Sequence, residues 1–507
     1  SRAQKLQLQL LGLRSCCDHC AGLRSWPFAS LPPAMGNKPS AEQAEVLLAA
    51  LDASCVEAAQ IISGADIFLL CTGAGFSADS GLAVYADVAK VPAYRTRGLS
   101  YRDICDPCWL RDNPELFWGF WGQCYNDYRQ TAPHEGYAMI DRWAERWFRS
   151  SSKASEMKAL MDAGNLGRSP DATEENDAPY AVSEEPGAFF AFTSNVDAHH
   201  FDWFRACEIR ECHGNTELYQ CARRSGQSCS DAVWRAPLDF KFQVDTETML
   251  APATSSSVAT VTTSTQEKEI DASVPASASA SCYGFLRCFF CQSDNGKNGS
   301  KASVDASETD AAVPDLGGGV SSAPPAADGQ STAAASVGHV RGGGRPEMLR
   351  HMPLPAQPQE QRSRASFMQN HPTCPVCKGP ARPAILMFED YAWNDVNSQA
   401  RRWNMWSNSV GKLAEKAKLQ GKPLRVAILE VGCGGNVMTV RSTAERWLKQ
   451  WTYRGAATRL IRVNPELPLW DGNEFAPGGN LQGLVLSVMA RGLESLQKID
   501  AAMPPTS

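Results

Sequence analysis

The sequence predicts an α/β fold, a doubly wound parallel sheet carrying a small metal-binding module and interrupted by a long disordered insert. Three observations predict it. An apolar run at 67–71, IFLLC, breaks at once into a glycine loop, TGAGFSADSG. A second run, AFFAFTSN at 188–195, ends in polar residues. Two more, at 426–431 and 458–463, lead into the loops GCGGN and NPE. Short apolar runs without alternation read as strands buried on both faces, the hallmark of a parallel sheet. Polar loops at their ends are the expected edge of a ligand crevice, and the sheet is Rossmann-like.

Gly73 and Gly75 allow a tight turn. A strand, glycine loop and helix in succession present bare N–H groups on which a pyrophosphate can sit. Gly-Ala-Gly also marks ordinary turns. Asn195 and Asp197 project from the crevice edge, or else cap the next helix. His213 ends a further short strand, EIREC; a lone histidine is more often structural than catalytic. Cys374 and Cys377 form a C-x2-C pair, and Cys221 and Cys229 a wider one. Together they fit a tetrahedral structural zinc site. Cys282, Cys288 and Cys291 are rival ligands.

Of the 507 residues, those from 246 to 365 are dominated by Ala, Ser, Thr, Gly and Pro and read as a low-complexity disordered insertion. Residues 151–186 read as a polar loop insertion, 1–40 as a disordered leader and 498–507 as a tail. That leaves one large domain over 41–497, with a zinc module at 212–245 and 366–390. The net charge of −6 and the lack of a basic stripe argue against direct nucleic-acid binding. No apolar run is long enough for a transmembrane segment. Eighteen scattered cysteines do not make a disulfide scaffold, and Cys71, Cys207 and Cys433 read as buried thiols. A reducing, intracellular setting follows, cytoplasmic or nuclear. Residues 1–34 hold Arg2, Lys5, Arg14 and Arg24 against one acid, Asp18, which is similar to a mitochondrial transit peptide. Alternatively, Met35 opens MGNKPS, which would put a lipid anchor on Gly36 if translation starts there.

In this order the motifs resemble the sirtuins, the NAD-dependent protein deacylases. The phrases are GAGFSADSG, TSNVD, HGN, the split cysteine pairs, RPAILMFED, VGCGGNV and RVNPE, over about residues 65–470. The likeness is to a divergent branch, here with TAPHEG, ECHG and RPAILMF. The resemblance implies NAD and zinc as cofactors and an acyl-lysine protein as substrate. It implies a lysine deacylase, or deacetylase, releasing nicotinamide and O-acyl-ADP-ribose. Gly73, Ala74, Gly75 and Ser77 would face the NAD phosphates. Asn195 and Asp197 would face nicotinamide, with Ser194 beside them in place of a usual Gln. His213 would be the general base; Gly432, Cys433, Gly434 and Asn464 would line the adenosine half. The loop that usually reads Pro-Asp-Phe-Arg is Ala83-Val84-Tyr85-Ala86, where only Tyr85 keeps its ring. The substrate-groove phrase that usually ends Phe-Gly-Glu ends Phe388-Glu389-Asp390. Two other readings stay open: an ADP-ribosyltransferase or NAD hydrolase on the same scaffold, and a catalytically weak NAD-binding scaffold module.

Overall fold

The structure, a computed structural model, describes residues 37–84, 87, 91–165, 182, 184–223, 229, 232–253 and 357–505. The central sheet contains β1 (Ile67–Thr72), β2 (Phe189–Thr193), β3 (Ile209–Glu211), β7 (Arg425–Val431), β8 (Ala457–Val463) and β9 (Val485–Val488). Their order is β3-β2-β1-β7-β8-β9, and every neighbouring pair is parallel. The four strands read from sequence are adjacent, as expected. β1 and β2 are buried at every residue, because helices cover both faces.

The side chains of β2 show the two faces directly. Phe189 packs on Phe68 and Phe204, at ring separations of 5.5 and 5.4 Å. Its neighbours Phe190 and Phe192 meet Trp403, at 5.4 and 4.8 Å. Trp403 belongs to the helix Asn397–Leu419, whose Trp406 meets Trp451 of the helix Thr439–Tyr453. The helices Leu51–Ser63, Glu135–Ala144 and Gly492–Ala501 form a second group packed among themselves.

A smaller antiparallel sheet, ordered β5-β4-β6, joins β4 (Gly214–Cys221), β5 (Val233–Arg235) and β6 (Ala381–Ile385). The helix Pro114–Gln130 packs on it: Trp118 stacks on Phe242 at 5.3 Å and lies parallel to Tyr219. The module is thus wider than its cysteine-bearing segments.

Several sequence expectations are corrected. Residues 152–165, read as loop, are the helix Ser152–Asn165. Ala154, Met157 and Met161 are buried at helical spacing, a stripe hidden within an otherwise polar composition. The insertion read as 246–365 is ordered at both ends. Met249 and Ala251 are buried, and Ala251 N–H bonds Glu115 C=O at 2.9 Å. Residues Gln357–Ser366 form a helix. Asn370 clamps the entry strand, donating to the carbonyls of Gln243 and Pro252 at 2.7 and 2.8 Å. Met249, Ala251 and Phe367, on either side of residues 254–356, lie in the same core as Cys221 and Cys374. The segment read as tail from 498 completes the helix Gly492–Ala501, and Arg146 holds the carbonyls of Pro504 and Pro505 at 2.8 and 2.6 Å. Residues 1–36, 166–181, 254–356 and Tyr85, with the expectations placed on them, lie outside the described residues. No single described helix is long and apolar enough to cross a membrane.

Met157→Ala and Met161→Ala should each destabilise the fold by about 2–4 kcal/mol, read from urea midpoints. A surface loop there would show a change below about 0.5 kcal/mol.

Candidate functional site

Parallel strands bring the loops after β1, β2, β3, β7 and β8 to one edge of the sheet, their carboxyl ends. The loops after β1 and β7 touch backbone to backbone. Gly75 N–H donates to Gly432 C=O at 2.9 Å, and Gly73 N–H to Val431 C=O at 3.1 Å. Gly432 has φ +69°, and a Cβ on it would meet Phe76 N at 2.2 Å. A Cβ on Gly73 or Gly75 would meet the Gly432 carbonyl at 2.8 or 2.9 Å. These glycines are required by loop–loop contact within the protein, whatever ligand lies above them. Ala74 and Gly75 are half-buried, and Gly434 is exposed with open space around it.

Ser77, in the short helix Ala74–Ala78, faces the β2 loop. Its hydroxyl donates to Asp197 Oδ2 in a short hydrogen bond and accepts from Asn195 Nδ2 at 2.9 Å. Asp197 Oδ1 accepts from His199 N–H at 2.9 Å. All three site residues are buried. Burial works against ionising Asp197, but His199 and His200, the Ser77 hydroxyl and the His199 N–H outweigh it and hold the carboxyl below its usual value. Asn195 Oδ1 is buried with no hydrogen-bond partner among the described residues. A lone buried acceptor beside a carboxylate suits a ligand offering an amide donor, as the nicotinamide carboxamide would. Ala198 adopts φ +63°, a left-handed turn that ties Asp197 to the buried histidines.

His213 lies in the two-residue turn between β3 and β4, half-buried. Gly214 must follow it: φ is +71° and a Cβ would sit 1.9 Å from Ala384 C=O. Burial and nearby Arg210 push the imidazole down to about 4, against Asp395 and a hydrogen bond to the Ser194 backbone. The ring is neutral at pH 7. The ring hydrogen-bonds the Ser194 backbone, next to Asn195, which links His213 to the β2 loop.

The other histidines near the crevice are structural. His199 and His200, just past Asp197, are buried. His200 Nε2 lies 2.9 Å from Thr72 Oγ1, which donates to Thr193 Oγ1 at 2.8 Å. His134 Nδ1 accepts from Gly136 N–H at 3.0 Å, and its Nε2 lies 2.9 Å from Phe76 O.

On the β7–β8 side, Cys433 and Asn464 organise loops. Cys433 is buried, and its carbonyl accepts from Asn464 Nδ2 at 2.9 Å and Arg441 Nη1 at 3.2 Å. Asn464 Oδ1 also accepts from the N–H groups of Glu466 and Leu467. Sequence reading missed Arg441. It is fully buried, holds the carbonyls of Leu467 and Leu469, and pairs with Asp471 at 2.8 Å. The signal was present, a lone arginine just after the glycine loop in GCGGNVMTVR. Glu211 was missed too. Burial drives its carboxyl well above the usual range, against an Asn215 amide at 2.6 Å.

The cysteines converge. Cys229 Sγ lies 3.7 Å from Cys221 and 3.4 Å from Cys374, and Cys221 lies 3.9 Å from Cys377. All four Sγ atoms fall within 4.8 Å of one another. A zinc tetrahedron with bonds of about 2.3 Å has edges of about 3.8 Å, so the donor set fits that ion. Four thiolates leave no open position, and the role is structural.

A parallel nucleotide-type sheet, with a four-cysteine module inserted at the β3–β4 turn, is the layout the motif order implied. No family model matches the chain, and no curated protein matches its sequence. Among solved structures, it is similar to a Sir2 homologue in complex with NAD, at 12% identity and TM-score 0.37, over 92% of this chain and 97% of the other. A Sir2 homologue mutant bound to 2′-O-acetyl-ADP-ribose gives 12% and 0.37, over 87% of this chain and 92% of the other. Sir2Tm bound to a propionylated peptide gives 12% and 0.34, over 87% and 94%.

Two measurements check this site. The purified chain should hold one zinc per molecule by elemental analysis, and Cys374→Ser should abolish it while lowering the melting temperature. Burial lowers His200 from 6.5 to about 4. The folded state thus binds fewer protons than the unfolded one. The stability His200 contributes is complete above about pH 6.5 and drains away as pH falls toward 4. Urea midpoints should fall across that window, and less so in His200→Gln.

Proposed function

We propose that this chain is an NAD-dependent enzyme of the sirtuin type, removing acyl groups from protein lysines. One observation carries the reading. An ionised Asp197 and the buried Asn195 Oδ1 are held by Ser77 beside the turn at 73–77, and a neutral His213 is hydrogen-bonded to the adjoining Ser194 backbone. NAD would supply a glycosidic bond to nicotinamide whose cleavage leaves an electrophilic ribose carbon for the acyl oxygen.

The residues divide the work. Gly73, Ala74, Gly75 and Ser77 line the phosphate side of the crevice, with Gly432 and Gly434 opposite. Asp197, held ionised, accepts the carboxamide N–H. Asn195 Oδ1 takes the remaining donor. His213, unprotonated at one ring nitrogen, removes a proton from a ribose hydroxyl. Zinc braces the module that carries His213 and the peptide side of the cleft. Ser194 positions His213 through its carbonyl.

A second reading has its own support. Residues 83–86, Ala-Val-Tyr-Ala, carry neither an acid nor a guanidinium. That favours capture of the ribosyl group by water or another nucleophile, giving an NAD hydrolase or ADP-ribosyltransferase. Incubation with NAD and an acyl-lysine peptide panel separates the two. Nicotinamide with O-acyl-ADP-ribose supports deacylation; nicotinamide without acylated product supports the second reading; neither sinks both.

His213→Ala should lower kcat by about 10²- to 10⁴-fold and leave NAD affinity within about threefold. With the imidazole at about 4, kcat/KM should stay level below pH 6.5, and its acid limb should appear only near pH 4–5. Asp197→Asn should depress nicotinamide release and nicotinamide exchange, since an amide replaces one acceptor with a donor.

A further inference from the structure

We infer that the cleft rim beside His213 selects acyl-lysine peptides with a basic residue close to the modified lysine, and that Glu389 reads it. The inference rests on the deacylase reading above. The loop after β6 begins at the proposed base: Leu386 N–H donates to His213 C=O at 3.0 Å. Three residues later comes Glu389, within about 10 Å of that bond at full extension. On the deacylase reading, a peptide that brings an acyl-lysine to His213 would run beside this loop.

The two acids at the loop tip have different duties. Asp390 is buried and spent. It pairs with Arg382 through both oxygens and accepts from Ala392 N–H at 2.9 Å. Glu389 is 66% exposed and pairs with Arg102 at 3.5 Å. The buried anchor fixes the loop, and the exposed carboxylate is presented from it. Glu389 also holds φ +56°, a left-handed conformation that glycine enters freely and other residues do not. Arg102, itself 68% exposed, has a second seat, 5.4 Å over the Phe388 ring. Tyr101, its neighbour in the short helix Tyr101–Ile104, meets the same ring edge-on.

An exposed pair of this kind is weak, and an incoming guanidinium or ammonium competes for it. Arg102 can yield Glu389 and stay over Phe388. The charge complementarity then favours a lysine or arginine next to the acyl-lysine and disfavours an acid, which would face Glu389.

The test is fluorescence anisotropy with the full zinc-loaded chain and labelled peptides carrying acetyl- or longer acyl-lysine, identical except for arginine, glutamine or glutamate flanks. The arginine-flanked peptide should bind about three- to fivefold more tightly than the neutral one at low salt, as expected for an exposed pair. The difference should fade as salt shortens the screening length to about 3 Å near 1 M. Glu389→Gln and Glu389→Gly should both erase the preference. Arg102→Gln should enlarge it, because Glu389 loses its competitor. A preference that survives Glu389→Gln, or binding without any flank preference, overturns this inference and leaves the deacylase reading standing. Binding by no acyl-lysine peptide at all overturns both.

Discussion

The rest of the site hangs on one steric constraint, the backbone contact between the turns after β1 and β7. No side chain fits between Gly75 and Gly432, so the two turns approach to hydrogen-bonding distance and hold each other. Ser77 follows in the first of these turns, and Asp197 and Asn195 are both bonded to Ser77. The position of the carboxylate is therefore inherited from the glycine contact. On the far side, Gly432 N–H bonds Val463 C=O at 3.1 Å, which fixes the β8 loop to the same point. One contact thus sets the register of the loops after three strands.

Electrostatics then divides the buried acids by what surrounds them. Asp197 has a hydroxyl, a backbone N–H and two imidazoles close by, and it ionises below its usual value. Glu211, near it in the fold, is pushed well above the usual carboxylate range by burial, with like-charged Asp197 adding to the shift and the Asn215 amide opposing it. Behind the β7–β8 loops, Arg441 and Arg462 are fully buried among Glu430, Glu445 and Asp471. Each guanidinium also bonds backbone carbonyls, so the network fixes loop shape as well as balancing charge. Removing one member would strand the others without water, which makes this cluster intolerant of single changes.

The buried strands were legible because a short, unbroken apolar run bounded by turn residues suits a strand covered on both faces and little else. The cysteine set was legible because C-x2-C spacing reflects metal geometry. Glycine positions were legible but their cause was not: periodicity shows that a turn is needed, and only the fold shows that Gly75 meets Gly432. The helix Ser152–Asn165 escaped because three buried residues among polar ones give a faint period. Asn464 and Cys433 have the residue types of ligand contacts, yet their polar atoms are taken up by neighbouring loops. His199 and His200 could not be read as buried, because their burial depends on Tyr137, which comes from distant sequence, and on Phe204 beyond the next turn.

The four-cysteine cluster joins chain segments that are far apart: Cys229 and Cys374 are separated by 145 positions, and Cys221 and Cys377 by 156. During synthesis the first pair of thiols emerges long before the second. At ordinary ribosomal speeds of about 5–20 residues per second, they wait on the order of ten seconds with an incomplete donor set. β4 meanwhile lacks its partner β6, which follows the second pair, so a strand edge stays open over the same interval. A cell making this protein thus has a defined window in which the nascent chain is exposed to oxidants and to wrong metals, and it closes only when Cys377 leaves the ribosome.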